Sequence, residues 1–465
     1  MATIAQTTAW KNKVTQYISS FELLPGQIVV VAAAVLIVIG AGLLLLPFST
    51  PPDIELSILD ALFTATSAVC VTGLIVMDTP HEFTMFGQLV ILMLIQIGGL
   101  GYALMATLIL LILGHRIGLR DRMMLAETLN TIDMAGSVRF VKIVALITLV
   151  FEGIGSLLLT ARFAQDMPLD QAMYFGIFHA ISAFNNAGFA LFSNSLISFQ
   201  MDIPVNLIVT GLIVLGSIGF LVFQDVIDNV KGHRFRFQTH TKLVLLTTLA
   251  ILVFGTLGIT FLEWNNDRTL QHLSLGERIA IAHFHTISRT AGFTTIDISL
   301  MDDATHYFLL LLMAIGGSPG SMSGGIKTTT FAIVVLTVWA VLRRHQGDVV
   351  VFHRRIPQDL IVRSLCLCIL ALTLITTFTL ILKFTEDLPF LSIMFEVTSA
   401  MGIVGLSLGD GEGRSLSALF SGFGKLMMMI SMLLGRFGPL MIGLFALKTV
   451  THARFRYPES RVLIG

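Results

Sequence analysis

Long apolar runs alternate with short ones along this chain, and polar, glycine-rich breaks separate them. Residues 27–46 are apolar for about twenty positions, enough for one bilayer crossing at 1.5 Å per residue. The segment Pro47-Phe48-Ser49-Thr50-Pro51-Pro52 ends that run, and residues 56–69 form a shorter apolar stretch. Too short to span, it predicts a helix that enters the membrane and turns back; residues 86–113 then cross again. The order long, short, long recurs at 141–159, 171–184 and 205–226. It recurs again at 241–262, at 279–290 and in a helix beginning near Tyr307, and finally at 361–382, 391–401 and 426–447. The pattern predicts an all-α polytopic membrane protein of eight crossings and four re-entrant segments. These form four tandem helix–pore loop–helix repeats with pseudo-fourfold symmetry around a central pore. The expected units are 27–122, 123–238, 239–350 and 351–447, flanked by an N-terminal segment 1–26 and a tail 448–465.

Each short run ends in a related polar string. The first is Thr66-Ser67-Ala68-Val69-Cys70-Val71-Thr72-Gly73-Leu74, the second Ser182-Ala183-Phe184-Asn185-Asn186-Ala187-Gly188-Phe189. Ser288-Arg289-Thr290-Ala291-Gly292-Phe293 and Thr398-Ser399-Ala400-Met401-Gly402-Ile403-Val404-Gly405-Leu406 complete the set. Every string places a small polar group a few residues before a glycine that a large apolar residue follows, and the glycines recur about every 110 residues, as in an internal repeat. Potassium binds where backbone carbonyl oxygens replace its water shell. Extended segments turning their carbonyls to one axis need dihedrals that a Cβ resists, and glycine lifts that resistance. The competing reading is a set of close-packing glycines between membrane helices.

Composition agrees with a lipid-embedded chain: of 465 residues 55% are hydrophobic and 12% charged, about half the charge of an ordinary soluble domain. Net charge is zero, so no global field points to a nucleic-acid partner. The three cysteines, Cys70, Cys366 and Cys368, make neither a metal motif nor a disulfide framework. Lys11 and Lys13 precede a first run that reads as a retained span. Basic residues follow each second helix: Arg116, Arg120 and Arg122; Lys231, Arg234 and Arg236; Arg343, Arg344, Arg354 and Arg355; Lys448, Arg454 and Arg456. The positive-inside rule then puts both termini in the cytoplasm of a multi-pass cell-membrane protein. The opposite loops carry Asp53, Glu55, Asp78, Glu82, Asp166, Asp170, Glu263, Asp267, Asp302, Asp303, Asp387, Asp410 and Glu412, an acidic mouth that would gather cations. Each unit crosses an even number of times, so all four share one orientation around an axis. An inverted-repeat carrier with alternating access, the alternative, needs odd crossings per half.

The second helix of the third unit is interrupted by Gly316, Gly317, Ser318, Pro319, Gly320, Ser321, Met322, Ser323, Gly324 and Gly325, with Lys327 just beyond. Such a run cannot stay helical. Non-helical backbone at membrane depth must be buried in protein or line a water-filled cavity, so the segment is expected below the glycines, as a gate. Gly316, Gly320 and Gly324 also fit a small-residue packing face. Gly320 to Thr328 has a superficial likeness to a phosphate loop, without the preceding strand. Gly316-Gly317-Ser318-Pro319-Gly320 matches a nucleophile elbow, which would make an intramembrane serine hydrolase of Ser318 with His283 or His285. The residues favour a non-enzymatic chain. Arg436 lies mid-span in the last crossing and is a functional candidate by default. It is expected to face the cavity or to bond the loop's carbonyls, with pairing to Glu152 or Glu396 as the structural alternative. Lys327 is expected to neutralise carbonyls at the loop's end, and Glu396 and His179 to bond behind the glycine strings.

These residues resemble, over essentially the whole chain, the Trk/Ktr/HKT superfamily of potassium transporters, most specifically in the string Arg289 to Phe293 and the broken helix of the third unit. The chain is similar to the Ktr-type membrane subunits, because about 26 residues precede the first crossing where Trk-type subunits carry two further helices. The resemblance implies that Gly73, Gly188, Gly292 and Gly405 line a selectivity filter, with carbonyls of Val71, Thr72, Asn186, Ala187, Thr290, Ala291, Ile403 and Val404 nearby. It implies that 316–325 is the gating loop with Arg436 beside it, and that Gly73, where other members have serine, favours K+ over Na+. It also implies sodium-coupled or sodium-stimulated uptake, a homodimer with one pore per subunit, and docking on a cytosolic nucleotide-binding RCK-type regulatory ring. No cofactor is expected on this chain itself.

Overall fold

The computed structural model describes residues 25–101, 137–232, 236–343 and 349–438. Lys11, Lys13, Arg116, Arg120, Arg122, Arg234, Arg344, Lys448, Arg454 and Arg456 lie outside the described residues, as do residues 1–24 of the expected segment 1–26 and the tail 448–465. The first unit comprises α1 (Pro25–Leu44), α2 (Ile58–Cys70), the single turn α3 (Thr79–Glu82) and α4 (Met85–Leu100). The second comprises α5 (Ser137–Phe163), α6 (Leu169–Phe184), α7 (Ile203–Ile218) and α8 (Phe220–Lys231). The third comprises α9 (Thr239–Leu262), α10 (Leu275–Ser288), α11 (Asp303–Ala314) and α12 (Thr328–Leu342), and the fourth α13 (Gln358–Thr385), α14 (Phe390–Gly402) and α15 (Gly422–Phe437).

The outer helices are long and apolar. Residues Phe140–Phe163, Thr239–Leu262 and Gln358–Thr385 each suffice to cross a membrane, and they turn Leu157, Phe261 and Phe384 outward, as a lipid-facing surface requires. The short helices α2, α6, α10 and α14 are enclosed by them. Phe63, Phe178 and Phe395, at one offset before their units' glycines, are fully buried. Lipid is as apolar as these rings, so what holds them is dispersion against close-packed neighbours rather than escape from water. The re-entrant helices start at defined caps. Ser57 Oγ accepts the Asp60 N–H at 3.1 Å, and Ser274 with Glu277 forms a reciprocal capping box at the head of α10.

Packing between units forms a cycle. The first helix of each unit lies on its own re-entrant helix (α1 on α2, α5 on α6, α9 on α10, α13 on α14). The second helix lies on the re-entrant helix of the next unit: α4 on α6, α7 on α10, α11 on α14, and α15 back on α2. The ends of the chain's repeat order are therefore neighbours in space.

Three expectations need correction. The second helices are not uninterrupted crossings: α4 stops at Gly101 (φ 80°), α15 at Gly438 (φ 82°), and α7 and α8 meet at Gly219 (φ 97°) with a bend of 89°. Three helices, or four counting the bent pair, are therefore long enough to span among the described residues. A left-handed glycine cannot continue a right-handed helix. The expected boundary between residues 350 and 351 also falls inside an antiparallel ribbon, β1 (Val350–Val351) and β2 (Arg354–Arg355), paired Val350 with Arg355 and Val351 with Arg354. Its turn residues Phe352 and His353 both have positive φ, which apolar patterning does not encode.

Candidate functional site

The four re-entrant helices end at one place. After α2, Val71 turns left-handed (φ 63°), and Thr72 N–H bonds the Ser67 carbonyl at 2.7 Å. Asn186 (φ 59°) and Ile403 (φ 56°) make the same turn, with Ala187 N–H on Ser182 O at 2.8 Å and Val404 N–H on Ser399 O at 2.9 Å. For Val and Ile this conformation costs roughly 1–3 kcal/mol and persists only where the surroundings over-determine it. The third turn differs: Thr290, at the equivalent position, does not have positive φ, and both Ala291 and Gly292 N–H groups bond Ser288 O, at 2.8 and 2.9 Å. Hydroxyls hold each turn. Ser67 Oγ accepts Gly73 N–H at 3.1 Å and Ser399 Oγ accepts Gly405 N–H at 3.0 Å, while Ser182 donates to Phe189 O at 2.7 Å and Ser288 to Phe293 O.

Beyond the turns lie Gly73, Gly188, Gly292 and Gly405, at φ 88°, 73°, 77° and 90°. A Cβ on Gly73 would come within 3.0 Å of the Ala187 carbonyl oxygen, one on Gly188 of Ala291 O, one on Gly292 of Val404 O, and one on Gly405 of Thr72 O. The series closes on itself. The four glycines and the carbonyls of Thr72, Ala187, Ala291 and Val404 thus form a ring, and all four glycines line one cavity of about 300 Å³. The C-terminal ends of four helices converge on it, each presenting the negative pole of its dipole, which favours a cation. Of the acids expected at the outer mouth only Asp78 lines this cavity, and Asp297, which sequence reasoning passed over, joins it. Asp78 bonds Ser193 at 2.6 Å and His81 at 2.8 Å; Asp297 accepts the Ser299 N–H and hydroxyl. Arg414, also at the mouth, is held by Asp410 at 2.7 Å and by Glu412, and the Asp410 bond raises its pKa further. Glu263 is no mouth residue: it is buried, and accepts from Asn266, Thr269, Thr305 and the Asp302 N–H.

Below the ring runs the loop 316–325. Gly316 N–H bonds Ile326 O at 2.9 Å and Ile326 N–H bonds Ala314 O at 3.2 Å, so both ends of the loop meet in a short parallel bridge. Its middle crosses to the second unit: Ser318 N–H to Ser217 O at 2.9 Å, Met322 N–H to Gly216 O at 3.1 Å, and Phe220 N–H to Gly320 O at 2.9 Å. A Cβ on Gly324 would meet the Ile403 side chain, which puts the loop directly beneath the fourth turn. Gly317 N–H bonds Ser323 Oγ at 3.1 Å, and Lys327 Nζ donates to Ser323 O at 2.6 Å, the carbonyl-capping role expected of it. Pro319 and Ser321 sit at the crossing point, the former against Gly219. Arg436 donates to Met322 O at 2.6 Å, to Gly99 O at 3.0 Å and to Gly98 O. Its pairing with Glu152 or Glu396 is contradicted. Glu152 accepts from Gln96 and Asn185, and Glu396 from Ser407 and Ser417. The elbow reading fails on geometry: Ser318 Oγ bonds Thr328 at 2.8 Å, while His283 and His285 bond Thr256 and Thr295. His179 does sit behind its turn, donating to Phe175 O at 2.7 Å and accepting Leu191 N–H at 3.2 Å.

Sequence reasoning assigned no role to Arg289, which is buried and bonds the start of the loop. The rule that singled out Arg436, a charge at membrane depth, applied equally to it.

Known proteins resemble this chain in sequence and in fold. The TrkH family profile, described as cation transport protein, matches residues 4–455. The chain is 40% identical over 460 residues to the Ktr system potassium uptake protein B of Bacillus subtilis, covering 98% of this chain and all of that one. It is 34% identical to the potassium/sodium uptake protein NtpJ of Enterococcus hirae, over 96% of this chain and 98% of the relative. The fold is similar to that in the crystal structure of the potassium transporter TrkH from Vibrio parahaemolyticus, with a TM-score of 0.71 at 22% identity, over 92% and 86% of the two chains.

Proposed function

This chain belongs to the TrkH family of cation transport proteins, and from that premise we propose that it takes up potassium across the cell membrane through the ring at Gly73, Gly188, Gly292 and Gly405. One observation carries the reading: the four glycines close into a ring of carbonyls that lines a single cavity. A ring of carbonyl oxygens replaces the hydration shell of a weakly hydrated monovalent ion, and four helix C-termini lower the energy of the bare charge. Asp78 and Asp297 raise the local cation concentration at the entrance. The loop 316–325 with Arg436 closes the path beneath. The names of the relatives support a partner component of the uptake system and a role for sodium; we extend these, through the family resemblance, to a homodimer on a cytosolic nucleotide-binding RCK-type ring and to sodium-dependent or sodium-stimulated transport.

The decisive assay is growth of potassium-uptake-deficient cells at low potassium, with and without a regulatory partner and with sodium varied, together with Rb+ uptake in vesicles. The wild-type chain restores growth. Gly73→Ser lowers the preference for K+ over Na+ by about tenfold, ~1.4 kcal/mol of differential binding, in a protein that still reaches the membrane. An unchanged preference would remove Gly73 from the ion path.

A further inference from the structure

We propose that Arg289 is a positioning residue that joins the base of the intramembrane loop to the ring, so that base and ion site form one body and opening takes place at the loop's tip. Arg289 directly follows α10 and directly precedes Thr290, Ala291 and Gly292. Its side chain is only 4% exposed. The guanidinium Nη1 donates to Leu312 O at 3.3 Å, to Gly316 O at 3.5 Å and to Ile315 O. These are the closing carbonyls of α11 and the first residue of the loop. A helix end leaves such carbonyls without intrahelical partners, and a buried cation there satisfies them and complements the dipole. Among the described residues no ion pair involves Arg289, so backbone carbonyls alone hold its charge in place.

The same turn reaches the second unit. Thr290 Oγ1 donates to Asn186 Oδ1 at 3.0 Å, so a shift of the third turn reaches its neighbour in the ring. The parallel bridge between Ile315 and Ile326 gathers both loop ends onto this base, and Thr328 N–H on Gly317 O at 3.0 Å adds to it. The tip is held differently. Its backbone bonds run from Ser318, Gly320 and Met322 to α7, α8 and Arg436, all on other units, while the Ser318 hydroxyl bonds Thr328 of its own unit. A loop anchored at its base and bonded across the path at its tip clears that path by breaking the tip bonds.

The proposal rests on the reading of the ring as the ion site. The test is Rb+ flux and its competition by K+ and Na+ in proteoliposomes, for Arg289→Gln, Arg289→Lys, Arg436→Gln and Gly73→Ser. Arg436→Gln frees the tip and is expected to raise flux with cation preference intact. Arg289→Gln frees the base and is expected to raise flux and to lower K+-over-Na+ preference by about tenfold. Arg289→Lys keeps the charge but reaches fewer carbonyls, and is expected to restore part of the preference. A folded Arg289→Gln protein with unaltered preference overturns the linkage. Should that variant fail to fold, a wild-type preference in Arg289→Lys overturns it equally. If Gly73→Ser lowers preference and neither Arg289 variant does, the linkage alone falls; if Gly73→Ser leaves preference unmoved, the ring reading is wrong and the proposal falls with it.

Discussion

At each ring glycine two independent constraints oppose a side chain: the backbone stands at positive φ, and the neighbouring unit's carbonyl lies close to the place of a Cβ. Gly188→Ala meets both, since its Cβ would lie against Ala291 O. Rb+ uptake is expected to fall by about a hundredfold, because shifting one carbonyl of the ring leaves a bare ion incompletely coordinated. Gly153, on the outward side of α5 with open space around it, is the matched control. There alanine is expected to leave uptake unchanged and to stabilise the helix by ~0.5–1 kcal/mol, so equal losses at the two positions would contradict the ring. The glycines and the preceding hydroxyls were legible because they punctuate apolar text. Arg289 and Asp297 were not: a linear string shows that a guanidinium is at membrane depth but not which carbonyl it meets. Nor does it tell a mouth acid from a knotted one such as Glu263.

Among elements, the re-entrant helices were readable to within a few residues, because length and flanking breaks define them. The ends of the second helices were not readable. Gly101, Gly219 and Gly438 lie in continuous apolar runs, and hydropathy is blind to a residue at positive φ. Only the third unit carries enough glycine and proline to announce its break. That break is also where an element can be removed cleanly. Gly316 and Gly325 already lie side by side, a Cβ on Gly325 being 3.1 Å from Gly316 Cα, so the ends to be joined are close. Excision of 317–324 is therefore expected to raise Rb+ flux severalfold, about 1 kcal/mol off the barrier, with K+ preference kept, since Arg289 still holds the base. Loss of transport altogether would instead indicate a carrier whose cycle needs the loop.

For the whole molecule, the return of α15 onto α2 makes the four units a closed circuit, so a single orientation in the bilayer follows for all of them. Sequence reasoning reached this from even crossing numbers, although the crossings themselves are broken. Among the described residues, Lys231 closes and Arg236 follows the second helices of the second unit, and Arg343, Arg354 and Arg355 follow those of the third. Basic residues resist translocation, so the side bearing them is expected in the cytoplasm and Asp78 and Asp297 outside. In a chain with Cys70, Cys366 and Cys368 replaced, Ser299→Cys, exposed beside Asp297, is expected to react with an impermeant maleimide in intact cells. His353→Cys, exposed at the turn of the ribbon, is expected to react only after permeabilisation. The reverse result would turn the acidic mouth inward. The field that gathers cations would then act on the cytosolic pool, and the ring would favour exit over uptake.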